Sequence, residues 1–116
     1  MGIFSDFSTK KKLGDGVMYV DAAWNAQDIG ALVVAFQNAR RLASEVEVQL
    51  APKVSLSATW GDSHQKTLMA ARAIVQASDA FRSSCEIQGD RLKAWNPSVA
   101  EQAVRTVRAA WASATS

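Results

Sequence analysis

Glu45-Val46-Glu47-Val48-Gln49-Leu50, then Ala51-Pro52, then Lys53-Val54-Ser55-Leu56-Ser57-Ala58-Thr59-Trp60, is the stretch on which the fold turns. Apolar and polar residues alternate strictly on both sides of Ala51-Pro52, a period of two that suits a strand. Two such runs around a short proline break read as an antiparallel hairpin. Its inner face is then Val46, Val48, Leu50, Val54, Leu56, Ala58 and Trp60, and its outer face Glu45, Glu47, Gln49, Ser55, Ser57 and Thr59. One apolar and one polar face predict a sheet covered by helices on a single side. A continuous helix from 26 to 60 competes with that reading. Pro52 counts against it, because a proline inside a helix removes a hydrogen bond and clashes with the preceding turn.

Working back towards the start, Ile29, Leu32, Val33, Phe36, Ala39, Leu42 and Ala43 recur at steps of three and four, one stripe of a helix over 26–43 capped by Asn25 or Asp28. Before it, Val17-Met18-Tyr19-Val20 is a short continuous apolar run, read as a central strand. Gly14-Asp15-Gly16 reads as a turn or hinge, and residues 1–16 as a flexible N-terminal arm carrying Phe4, Phe7, Lys10, Lys11 and Lys12.

Working forward, Gly61-Asp62-Ser63 punctuates, and Leu68, Ala71, Val75, Ser78, Phe81 and Cys85 mark a second helix over 63–82. The pattern breaks at Gly89-Asp90, flanked by a short strand at 85–88 and a last strand at 91–95. Asn96-Pro97-Ser98 opens a third helix over 97–113, with Asn96 as cap and Pro97 in the first position. The expected fold is therefore α+β: an open-faced sandwich of order β-α-β-β-α-β-α over residues 17–116, its sheet largely antiparallel and its helices on one face.

That order, with the run Ala43-Ser44-Glu45-Val46-Glu47-Val48, resembles the HPr phosphocarrier family of sugar phosphotransferase systems over most of residues 17–113. The family carries its phosphorylated histidine in a Gly-Leu-His-x-Arg-Pro-Ala motif just before the first helix. The segment here is Ala26-Gln27-Asp28-Ile29-Gly30-Ala31, without the histidine, arginine or proline. The resemblance thus implies a regulatory relative that binds partners without the phosphohistidine step, with the family's regulatory serine falling near 59–63. A ferredoxin-like β-α-β-β-α-β sandwich with an added C-terminal helix accounts for the same order.

The chemistry-bearing residues are few. The chain has 116 residues, a formal charge of +2, one histidine and one cysteine, enough for one core and too few for an internal disulfide or a zinc cluster. The single cysteine suits a reducing, cytoplasmic setting. His64 follows a helix cap and is expected on an exposed first turn. Cys85, on the apolar stripe, reads as a buried small hydrophobe. Glu45 and Glu47 share a strand face as solvated charges, Asp28 reads as a cap, and no glycine-rich loop joins a strand to a helix. The chain is therefore not expected to be an enzyme or to hold a cofactor or metal.

Two features remain. Lys10, Lys11 and Lys12 with Arg105 and Arg108, joined by Arg91 and Lys93, form a candidate basic patch. Four tryptophans are many for this length; Trp60 and Trp111 suit the core, whereas Trp24 and Trp95 flank element ends and, with Phe4 and Phe7, are candidate partner-binding residues. The predicted function is a non-catalytic protein-interaction or assembly module, with self-association among its modes. The alternatives are the regulatory HPr-like role and weak nucleic-acid binding through the basic patch.

Overall fold

An apolar stripe runs without interruption through Leu32, Ala35, Phe36, Ala39, Ala43, Val46 and Leu50, all of them buried. Its steps of three and four are those of one long helix. The alternating stretch belongs to that helix. Residues two apart in a strand pattern include pairs four apart, so Val46 and Leu50 satisfy both periods; Val48 separates them, and it is 76% exposed.

The structure is a computed structural model that describes the backbone of residues 2–56 and 61–116 and the side chains of residues 8–52 and 64–116. Its elements are α1 (Gly2–Asn25), α2 (Ile29–Leu56), α3 (Gly61–Ser84), β1 (Glu86–Gln88), β2 (Arg91–Ala94) and α4 (Pro97–Thr115). Helix α1 packs on α2, α2 on α3, α3 on α4, and α4 closes back on α1. The result is a four-helix bundle of 47 × 24 × 20 Å with a small hairpin at one end.

This overturns the expected α+β open-faced sandwich, HPr-like or ferredoxin-like, since the described residues form a two-stranded sheet and otherwise helices. Three sequence readings account for the difference. Val17-Met18-Tyr19-Val20 lies within α1, with Val17 and Val20 buried three apart and Met18 and Tyr19 exposed. The first half of the expected hairpin lies within α2, which runs through Pro52. Pro52 and the residue four before it, Val48, are both exposed, and the proline lies in the last turns of the helix, where few backbone bonds remain to be lost. Of the second half, residues 57–60 lie outside the described residues.

The third reading concerns the start of the chain. Residues expected as a flexible arm are helical from Gly2, and Thr9, Leu13, Gly14 and Gly16 are buried. Gly14-Asp15-Gly16 is a pair of notches rather than a hinge. A Cβ on Gly16 would lie 3.0 Å from the Ala39 Cα on α2, and one on Gly14 would lie 2.9 Å from the far ring edge of Trp111 on α4. Glycine thus lets α1 approach two neighbours at once.

The remaining elements follow the sequence closely. Asp28 caps α2, accepting from the Ala31 amide at 3.0 Å. Asn96 caps α4, accepting from Ser98 and Val99 ahead of Pro97. The β1–β2 hairpin turns on Gly89 at φ +66°, followed by Asp90 at ordinary negative φ, the sign pattern of a II′ turn. In the core, Phe36 of α2 meets Phe81 of α3 with ring centroids 4.8 Å apart. Exposed ion pairs tie α1 to α2 (Lys12–Glu45), α2 to α3 (Arg40–Asp79 and Arg72–Glu47) and α4 to α1 (Arg108–Asp21). Being exposed, they set register more than they add stability.

The two notches differ in what an added methyl would push against. Gly16→Ala meets backbone, which cannot yield, and should destabilise the bundle by about 1–3 kcal/mol before the gain of about 1 kcal/mol in helix propensity. Gly14→Ala meets the tip of a half-buried side chain that can swing aside, so it should stay within about 1 kcal/mol of the parent. Urea denaturation of the two variants checks the order; Gly14→Ala proving the more costly would contradict it.

Candidate functional site

The turn from α1 to α2 decides the geometry of one end of the bundle. The Asp28 amide donates to the Ala23 carbonyl at 3.2 Å and the Gln27 amide to the Trp24 carbonyl at 3.0 Å. Those two bonds make a Schellman cap, whose left-handed position is usually glycine. Here it is Gln27, at φ +57°. A side chain in that conformation costs roughly 1 kcal/mol. Strain of this kind concentrates where a side chain is needed in place.

What the turn serves is a groove. Trp24, Asn25, Gln27 and Ile29 from the α1–α2 corner face Trp95, which precedes the Asn96 cap of α4, around a cavity of about 550 Å³. Both indoles pack partly against the core. Neither indole N–H is held by a protein acceptor among the described residues. Asn25 is braced from behind: its Oδ1 accepts from Arg108 at 3.3 Å, and its Nδ2 donates to Asp21 at 3.4 Å. Arg108 Nε in turn donates to Asp21 at 2.6 Å. The groove is therefore lined by two indoles, one aliphatic side chain in Ile29, and the amide side chains of Asn25 and Gln27. It suits an uncharged apolar segment carrying carbonyl acceptors.

Of the residues singled out from sequence, the structure brings together Trp24 and Trp95, which lie 71 positions apart in the chain. Phe4 and Phe7 fall on the α1 backbone, and their side chains lie outside the described residues, as do Trp60 and the segment 59–63. The basic residues do not gather. Lys11 pairs with Asp15, Lys12 with Glu45, Arg105 with Glu101 and Arg108 with Asp21, while Lys10 is half-buried on α1. Arg91 and Lys93 stand on the hairpin, with Glu86 and Asp90 beside them.

Other candidates resolve into structural roles. His64 is buried rather than on an exposed turn, because the core stripe of α3 starts with it and continues through Thr67, Leu68, Ala71 and Ile74. Glu45 and Glu47 point to different sides of α2, towards Lys12 and Arg41 in one case and Arg72 in the other. Among the described residues no cluster of three metal-ligating side chains forms, and no helix is long and apolar enough to cross a membrane. Gln27 was missed in the sequence and Asn25 was read only as an alternative helix cap, because only the Schellman bonds and the Arg108–Asp21 brace reveal their places at the groove. Comparison of the chain with protein-family models, curated proteins and solved structures finds no match in any of the three.

Cys85 sits half-buried just past α3. Burial pushes its thiol above the ordinary value, outweighing the Ser84 hydrogen bond and the Arg82 charge that pull it down. The thiolate is the reactive form, so Cys85 should react with a disulfide reagent at pH 8 more slowly in the folded chain than in urea. A folded-state rate at or above the unfolded rate would contradict this.

Proposed function

We propose that this chain is a non-catalytic protein-interaction module whose docking site is the end groove framed by Trp24 and Trp95. The observation that carries the reading is the convergence of the two indoles on one cavity, with no acceptor for their N–H groups among the described residues. Tryptophan dominates binding hot spots because one rigid side chain offers a large apolar area and a hydrogen-bond donor. The occupant this chemistry fits is an extended, uncharged segment of a partner protein. Its side chains lie between the rings, and its carbonyls accept from the indoles and from the Gln27 amide.

The left-handed Gln27 supports the same reading. Glycine there would remove the strain, so its side chain is kept at a cost in stability. Nothing comparable favours phosphate or nucleic-acid recognition, since Lys11, Lys12, Arg105 and Arg108 are each matched by a carboxylate.

Stability and binding should respond in opposite directions. Gln27→Gly should raise stability by about 0.5–1 kcal/mol and weaken binding. Trp24→Ala and Trp95→Ala should cost less than the roughly 3–5 kcal/mol typical of a fully buried tryptophan, yet abolish binding. The checks are denaturation curves, and tryptophan fluorescence titrated with a panel of uncharged, proline-rich and aliphatic peptides. Costs in the full buried range, together with no spectral response to any peptide, would reduce the pair to core capping and overturn the reading.

A further inference from the structure

We infer that the end groove selects proline-rich segments in the polyproline II conformation. This rests on the groove being a docking site and goes beyond that reading by naming the class of occupant. The side chains around its cavity of about 550 Å³ are Trp24, Asn25, Gln27, Ile29 and Trp95, none of them ionisable. A charged segment would lose its hydration there without gaining an opposite charge.

Hydrogen-bonding balance narrows the choice among uncharged segments. Trp24 and Trp95 each carry an indole N–H for which the described residues supply no acceptor. The Gln27 side-chain amide is a further donor without a partner among those residues. The acceptors are mostly in use. Asn25 Oδ1 already accepts from Arg108 at 3.3 Å. The carbonyls that a helix end ordinarily leaves open are engaged at this corner. Ala22 accepts from the Ala26 amide at 3.0 Å, Ala23 from Asp28 at 3.2 Å and Trp24 from Gln27 at 3.0 Å. Among the lining side chains, the acceptor left is the Gln27 carbonyl.

A lining rich in donors and poor in acceptors favours a segment with the opposite balance. An ordinary extended segment carries an N–H at every residue, and those covered in the groove would go unpaired at a cost. Proline has no N–H, and a polyproline II helix has no internal hydrogen bonds, so it presents carbonyls alone. Its rings are rigid apolar faces that pack against the indoles. Its backbone is already extended, so little conformational freedom is lost on docking. Two indoles on one cavity thus supply both the packing surface and the donors.

Titrating the isotope-labelled full chain with a blocked oligoproline peptide, followed through the indole proton–nitrogen resonances, tests this. The Trp24 and Trp95 resonances, assigned from Trp24→Phe and Trp95→Phe, should both move downfield as their N–H groups gain carbonyl acceptors. Each variant keeps an aromatic ring and loses the donor. It should bind oligoproline about tenfold more weakly with an unchanged circular dichroism spectrum. A blocked peptide of alternating valine and serine, extended but bearing an N–H at every residue, should also bind about tenfold more weakly than oligoproline. Equal or tighter binding of that peptide would overturn the selectivity while leaving the groove a docking site. Oligoproline binding that both Phe variants leave unchanged would overturn it too. If neither resonance moves with either peptide, the docking reading falls with it.

Discussion

The bundle rests on the contact between α1 and α2 at Gly16. There the helices approach so closely that a single methyl group would stand 3.0 Å from the Ala39 backbone. Two residues earlier, Gly14 makes the corresponding room for Trp111 on α4. The first helix is thereby seated between its two neighbours, and Leu13, Val17 and Val20 are carried into the core. The Lys12–Glu45 and Arg108–Asp21 pairs then sit along the edges of those contacts. Apolar burial supplies the driving force; the glycines determine how near the helices come.

The end groove depends on that seating. Trp24 stands at the last turn of α1 and Trp95 at the entrance to α4, so the distance between the rings follows from how α1 lies against α4. Three local devices finish the corner: the Schellman cap through Gln27, the Asp28 cap of α2 and the Asn96 cap of α4. The Arg108–Asp21–Asn25 network links the rim of the groove to the α1–α4 contact. The corner is therefore held by local capping bonds and by the bonds of Arg108 to α1, with both indoles packed partly against the core.

The second half of the chain was largely legible from sequence. Asn96-Pro97, Gly89-Asp90 and the stripe from Leu68 to Phe81 are local signals whose meaning does not depend on the rest of the fold. The first half was misread for physical reasons that can be named. Val46 and Leu50 are compatible with both a two-residue and a 3.6-residue period, and only the unbroken stripe from Leu32 decides between them. Pro52 breaks most helices, but here it lies in the last turns on a wet face. Glycines fifteen residues into a chain read as a turn, because the close approach that explains them lies on other helices. Trp24 and Trp95 were identifiable as unusual, but their meeting was not. Gln27 had no signal at all, since nothing in a single sequence reports a left-handed backbone at a residue other than glycine or asparagine.

The central claim is that α1 and α2 lie against each other at Gly16 and Ala39, with the alternating stretch helical beyond that point. The most direct measurement is a nuclear Overhauser contact between the Gly16 α-protons and the Ala39 α- and methyl protons in the isotope-labelled chain. A strong cross-peak is predicted, because the two backbones nearly touch. Its absence, with cross-strand α-proton contacts instead between the segments on either side of Pro52, would contradict the bundle and restore a sheet.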